Sequence, residues 1–165
     1  MKKTLIVYGS TTGNCQEYAE KIAQQLGVNE VKNVADVDAD MLSAYDNLLL
    51  GTSTWGAGEL QDDWYDGVET LKSTNLKGKT IALFGCGDAS GYSDTFCGGM
   101  SVLYNAVKDS GAKIIGQVDA DSYTYDDSES VVDGKFVGLA IDSSEDEDVI
   151  DNRIESWTAS IKSEL

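Results

Sequence analysis

Histidine is absent from the 165 residues, cysteine occurs only three times, and Lys and Arg together number 12 against 29 Asp and Glu. Each scarcity removes a class of chemistry. Without histidine there is no imidazole base and no Ser-His or Cys-His nucleophile, and any metal would have to be held by carboxylates that show no clustering. The cysteines, Cys15, Cys86 and Cys97, are an odd number with no Cys-x-x-Cys pair. They suggest neither a disulfide framework nor a zinc site and favour a reduced, cytoplasmic compartment. A formal charge of −17 repels nucleic acid and anionic membranes and favours partners with a basic face. No apolar run approaches the roughly 20 residues of a membrane span. The short apolar stretch after Lys2-Lys3 leads directly into a loop and does not suit a signal peptide.

What is present is an alternation of strand and helix patterns, of a length that suits one domain, residues 1–165. Leu5-Ile6-Val7-Tyr8 reads as a buried strand, and Cys15, Tyr18, Ala19, Ile22, Ala23 and Leu26 as one face of a helix. Val28 to Val34 alternates like an edge strand, Asp40 to Ala44 is a short helix, and Asn47 to Gly51 is a buried strand. A loop over Thr52 to Glu59 precedes a helical face of Leu60, Trp64, Val68 and Leu71. Thr80 to Phe84 is the next strand, Gly85 to Ser93 a glycine-rich loop, and Phe96, Met100, Leu103, Tyr104 and Val107 the next helical face. A fifth strand begins over Lys113 to Val118, is interrupted by the acidic, tyrosine-containing stretch Asp119 to Lys135, and resumes at Phe136 to Ile141. Ile150, Ile154, Trp157 and Ile161 mark a last helix. The alternation predicts five parallel strands with helices on both faces. In such a sheet the ligand sits outside the carboxyl ends of the strands, where the strand order reverses.

That rule gathers three loops. In the first, Gly9-Ser10-Thr11-Thr12-Gly13-Asn14, a strand end meets a helix N-terminus, whose unpaired N–H groups favour an anion. The loop carries neither the Lys of a nucleotide triphosphatase nor the Gly-x-Gly-x-x-Gly spacing of a dinucleotide site. One terminal phosphate, or no ligand beyond a polar helix cap, suits the hexapeptide alone. The second and third loops carry Trp55 and Tyr92, each beside a glycine (Gly56, Gly91). Two large aromatics at the mouth of a sheet make a slot for a flat ring, and a planar ligand with one phosphate fits all three loops together.

With those motifs in hand the chain resembles the flavodoxins, specifically the long-chain subgroup whose fifth strand is split by an insertion. The resemblance rests on Val7 to Asn14, on Ser53 to Gln61, on Gly85-Cys86-Gly87-Asp88 with Gly91-Tyr92 and Phe96, and on Gly134 to Leu139. It implies an α/β doubly wound sandwich of strand order 2-1-3-4-5, an order for which flavodoxin is itself the general example. It also implies a non-covalently bound flavin mononucleotide (FMN). Ser10, Thr11, Thr12, Gly13, Asn14 and Cys15 would hold the phosphate, although Cys15 stands where the family usually has threonine and a thiol is the weaker donor. Trp55 and Tyr92 would flank the ring, with the Gly56 carbonyl able to turn toward it, and backbone groups near Glu59 and at Cys86, Gly87 and Asp88 would meet its pyrimidine edge. Ser53, Thr54, Ala57, Gly58, Phe96 and Cys97 would complete the cofactor site. No catalytic residue and no metal ligand is implied.

The implied activity is one-electron transfer at low potential, with FMN cycling between semiquinone and hydroquinone. The partners would be redox enzymes with basic docking faces, such as ferredoxin NADP reductase, met transiently by a monomer. An FMN-dependent two-electron oxidoreductase of the quinone reductase type is the alternative. A phosphoacceptor receiver domain would share the sheet but lacks its paired acids here, since Val7-Tyr8-Gly9-Ser10 occupies their place. Tyr123 and Tyr125 stand in an acidic setting that suits partner docking, or a loop that merely packs on the sheet edge.

Overall fold

The computed structural model describes residues 2–10, 13–55 and 58–165, without the side chain of Trp55. Its first strand, β1 (Thr4–Gly9), is buried along its whole length, as a strand must be when helices cover both faces of a parallel sheet. Helix α1 (Asn14–Leu26) follows and buries Cys15, Tyr18, Ala19, Ile22, Ala23 and Leu26, the three- and four-residue spacing of a single stripe. Gly27 ends it at φ 71°, donating its N–H to the Ala23 and Gln24 carbonyls, a left-handed cap that suits glycine. β2 (Val31–Asn33) is shorter than the alternation over Val28 to Val34 suggests. The Val28 N–H is bonded instead to Ala23 O at the helix end, 2.9 Å away. Asp38 then caps α2 (Ala39–Ser43) by accepting from Met41 N.

β3 (Asn47–Trp55) runs beyond the expected Gly51, because Thr54 and Trp55 pair antiparallel with Leu60 and Glu59 of β4 (Glu59–Leu60). The stretch read as a loop is therefore a hairpin, and Leu60 belongs to it rather than to α3 (Trp64–Ser73). β5 (Thr80–Gly87) and α4 (Gly99–Val107) come next, with Phe96 ahead of the helix it was grouped with. The rest is β6 (Lys113–Ile115), β7 (Val118–Asp119), β8 (Val131–Val132), β9 (Lys135–Phe136), β10 (Leu139–Asp142) and α5 (Glu147–Ile161).

The main sheet runs β2-β1-β3-β5, with β6 and β10 both parallel to β5. β6 lies along its start, Lys113 beside Thr80, and β10 along its end, Leu139 beside Phe84. They are the two halves of the split fifth strand, and the expected order 2-1-3-4-5 holds. Between them β9 pairs antiparallel with β7 and β8 in a small sheet of its own. The second half begins at Leu139 and not at Phe136, since Phe136 is paired with Val118 and Val131 in the small sheet, and Gly138 between them lies against the Leu83 carbonyl with no room for a Cβ.

Side chains alternate across the strands and build one core on each face. Leu5, Val7, Leu48, Leu50, Ile81 and Leu83 pack with Trp64, Leu71, Met100 and Leu103 of α3 and α4. Ile6, Leu49, Ala82 and Phe84 pack with Ile22, Ile150, Ile154 and Trp157 of α1 and α5. Tyr123 and Tyr125 do not stand out as a docking pair. Their rings lie 4.9 Å and 5.3 Å from Phe136, and Tyr123 Oη donates to Ala140 O at 2.7 Å.

Candidate functional site

The strand register sets the site. Gly9 lies beside Thr52, Thr52 beside Gly85, Ser53 beside Cys86, and Gly87 beside Asp142, so the carboxyl ends of β1, β3, β5 and β10 form one edge with the three loops on it. Glycine is required at the first crossing. A Cβ on Gly9 would stand 2.5 Å from Trp64 Cδ1, and Trp64 is fixed there by donating Nε1–H to Gly51 O at 2.8 Å.

In the first loop Gly13 adopts φ 92° at the start of α1 and has no side chain with which to cap it. The N–H groups of Asn14, Cys15 and Gln16, which precede the first helical bond from Glu17 N to Gly13 O, point out of the helix end for a ligand to accept. Ser10 Oγ accepts from Gly13 N at 3.0 Å, a geometry that leaves its hydroxyl proton to be donated outward. Cys15 is fully buried and packs among the residues of α1, α5 and the sheet. A hydrogen bond with the neighbouring Cys86 thiol, together with burial, holds its own thiol well above the ordinary range. Its sulfur therefore faces the core, and only its backbone N–H faces the loop. Thr11 and Thr12 lie outside the described residues.

In the second loop Ser53 is buried, and Thr54 Oγ1 accepts from Gly99 N at 3.1 Å. Gly58 adopts φ 86°, and Glu59 is exposed. Gly56, Ala57 and the side chain of Trp55 lie outside the described residues, so one wall of the expected slot is carried by the hairpin register alone.

The third loop is held by its own groups. Asp88 Oδ1 accepts from Ser90 N at 3.0 Å and Gly91 N at 3.1 Å, and its carbonyl accepts from Tyr92 N at 2.7 Å. Tyr92 is thereby presented with 59% of its surface exposed, a large ring left in water beside a hollow of about 420 Å³ lined by Ser90 to Thr95 and Asp126. Cys86 is buried just below the edge. Phe96 and Cys97 are buried too, Phe96 stacked on Tyr125 at 5.6 Å and Cys97 Sγ directed at the Gly85 and Ile141 carbonyls. Their side chains present nothing to a ligand at the edge.

Sequence reasoning missed Asp142. Its Oδ1 accepts from Ala89 N at 3.1 Å, Ser144 N at 2.9 Å and Ser144 Oγ at 2.6 Å, tying the third loop to the turn before α5. The available signal was an acid at the carboxyl end of a buried strand followed by two serines. A larger groove of about 510 Å³ lies between α5 and the insertion, floored by Leu139 and Trp157. It is away from the strand ends, and none of the expected site residues lines it. Among the described residues no helix is long and apolar enough to cross a membrane.

Comparison with known proteins bears on this arrangement. The family model described as Flavodoxin matches residues 6–157. The Flavodoxin of Synechococcus elongatus is 40% identical over 168 residues, spanning 100% of this chain and 99% of that protein. Flavodoxin 1 of Azotobacter vinelandii is 42% identical over 171 residues, spanning 100% of this chain and 98% of that one. The crystal structure of Fusobacterium nucleatum flavodoxin bound to flavin mononucleotide aligns with a TM-score of 0.91 at 30% identity, covering 100% of this chain and 99% of that chain.

Proposed function

The chain belongs to the flavodoxin family, and from that premise we propose that it binds one FMN and carries single electrons at low potential between larger redox enzymes. The observation that carries this reading is the shared edge. An uncapped helix N-terminus with the Ser10 hydroxyl and an exposed Tyr92 ring on a backbone-bonded turn lie on loops of one sheet end. The donor set is neutral and suits a single phosphate. The loop has no lysine to reach further phosphates, and the helix end supplies the compensating partial charge. Tyr92 gives a flat ligand one face to stack on.

FMN held at this edge would supply one-electron redox chemistry. The chain's own residues bind, orient and bias it. Asp88, Asp94, Asp126 and Glu59 stand on or beside the ring-facing loops, in a chain of formal charge −17. Each carboxylate about 10 Å from the ring opposes an added electron by roughly 0.4 kcal/mol at water-like dielectric, about 17 mV. Several together lower the last potential, and salt weakens them beyond a Debye length of about 8 Å. The same acids steer reductases that present a basic face into brief complexes with a monomer in the cytoplasm. Electron transfer without turnover of a substrate is the whole activity.

Anaerobic reductive titration followed by visible absorption tests the reading. The expected course is yellow, then a one-electron radical spectrum, then colourless. Bleaching in one two-electron step would move the chain to the quinone reductase type, and a colourless chain that takes up no added FMN would overturn the site.

A further inference from the structure

Helix α5 buries Ile150, Ile154, Trp157 and Ile161 against the sheet, and the stripe beside these residues borders a gap. Val149, Asn152, Ser156 and Ser160 recur at the three- and four-residue spacing of one helical face. All four are exposed, and all four line the groove of about 510 Å³ between α5 and the insertion. Asn152, Ser156 and Ser160 are too short to reach the opposite wall, so the groove stays open.

The walls are fixed without any ligand. Trp157 of the floor donates Nε1–H to Gly116 O at 2.8 Å, and Tyr123 of the far wall donates Oη–H to Ala140 O at 2.7 Å. Arg153 bridges the two sides. Its guanidinium lies 3.8 Å over the Tyr123 ring and donates to Ser122 O at 3.0 Å and to Glu145 Oε1 at 2.8 Å. A cleft whose sides are already bonded loses little freedom when a ligand enters, and this volume is that of a small-molecule site.

The lining also states what the ligand must be. It holds two charged groups, and each has an opposite charge beside it, Glu145 for Arg153 and Lys135, at 3.9 Å, for Asp119. A charged ligand would give up hydration and meet no unmatched charge in return. What stands open is the Asn152 amide and, one turn on, the Ser156 hydroxyl, and neither side chain bonds another group among the described residues. Beneath them lie apolar edges of Leu139 and Trp157. We propose that this groove is a second ligand site, for a small uncharged aromatic bearing an amide or hydroxyl group. The ring lies on Leu139 and Trp157, and its polar edge meets Asn152 and Ser156. The site is separate from the sheet edge and does not depend on what binds there.

The test titrates the FMN-loaded chain with benzamide, benzoate and benzamidine, three rings of one shape and different charge, at physiological salt. Nuclear magnetic resonance reads the Trp157 indole N–H and the Asn152 side-chain amide. Benzamide is expected to shift both saturably, with a dissociation constant at least about fivefold below those of the two charged analogues. Asn152→Ala and Ser156→Ala, at exposed helix positions, should each weaken benzamide by about fivefold. Ser156→Phe fills the groove and should abolish the shifts, while far-ultraviolet circular dichroism confirms the fold of each variant. Absence of a saturable shift at Trp157, shifts that survive Ser156→Phe, or a charged analogue that binds as tightly as benzamide would overturn the proposal. So would movement of the same resonances on concentrating the chain without benzamide, which would assign the groove to contact between copies. If the chain takes up no FMN, only the functional reading of the sheet edge fails, and the same titration of the cofactor-free chain decides the groove.

Discussion

The first and third loops share one sheet edge and are built on opposite terms. The first has a single described side-chain bond, from Gly13 N to Ser10 Oγ, and keeps the N–H groups of its helix end unengaged by any cap. The third has its polar groups closed on Asp88, on Asp142 and on the insertion. A loop that receives an ion must leave its donors unengaged until the ion arrives, since preformed internal bonds would compete with it. A loop that presents a ring must engage its donors, because ring stacking is only weakly directional and the backbone has to supply the geometry. One loop contributes bonds, the other shape.

The sharpest way to break this contrast is to remove the phosphate from the ligand. Riboflavin offers the same ring to the third loop and nothing to the first. With two or more charge-assisted bonds lost, its affinity for the chain is expected to fall at least about a hundredfold below that of FMN, read by fluorescence titration. Equal affinities would mean that the first loop is only a helix cap.

Glycine substitutions separate the two loops next. A Cβ on Gly87 would stand 2.8 Å from Cys97 N, a backbone atom, so Gly87→Ala forces the third loop apart at roughly 2–3 kcal/mol. Gly13 has φ 92° and nothing within 4 Å of a built Cβ, so Gly13→Ala costs only the left-handed backbone penalty, about 1 kcal/mol. Thermal unfolding should show the first variant losing at least twice as many degrees as the second, and the reverse order would mean that the first loop is the more tightly packed. Asp142→Ala leaves Ala89 N without its acceptor and should cost about 1–3 kcal/mol. Its loss should also quench the dichroism of a flavin stacked on Tyr92, whereas Asp142→Asn, which keeps an acceptor oxygen, should retain most of both.

The contrast also explains what the sequence revealed. The first loop was legible because its role lies in consecutive residues: Gly9, Ser10 and Gly13 state the turn, the donor and the dihedral within a few positions. The strands and their order were legible because burial on both faces leaves continuous apolar runs such as Leu48-Leu49-Leu50. The framework of the third loop was not. Asp142 acts across 53 positions on Ala89 and Ser130 across 33 on Cys97, and no periodicity encodes such a pairing. Side-chain direction was equally hidden. Cys15, Phe96 and Cys97 sit at the right places in the motifs yet turn into the core, and the polar run Ser122 to Ser130 conceals two buried serines and two packed tyrosines. Two-residue strands such as β4 and β8 are too short to show any alternation.

Alkaline pH supplies the smallest and most local comparison, because each region carries a tyrosine whose hydroxyl is held protonated by burial, Tyr18 of α1 and the half-buried Tyr123 of the insertion. Burial pushes Tyr18 of α1, behind the first loop, up to about 12, against about 10 in an unfolded chain. Between those values the folded chain keeps a proton that the unfolded chain has released. The unfolded state thus binds fewer protons, and stability falls as pH rises. The contribution is complete below pH 10, is lost through pH 12, and is on the order of 1 kcal/mol for a hydroxyl near the surface. Burial also raises Tyr123, so the insertion too keeps its proton above the ordinary tyrosine range and loses stability only at alkaline pH. Urea unfolding at pH 9 and pH 11 should show the loss in the unmodified chain and a smaller one in Tyr18→Phe, whose α1 no longer titrates. Hydrogen exchange localised along the chain reads the helix behind the first loop and the Tyr123–Ala140 contact separately. Simultaneous release of both would mean that the two loops, for all their difference in construction, belong to one cooperative unit.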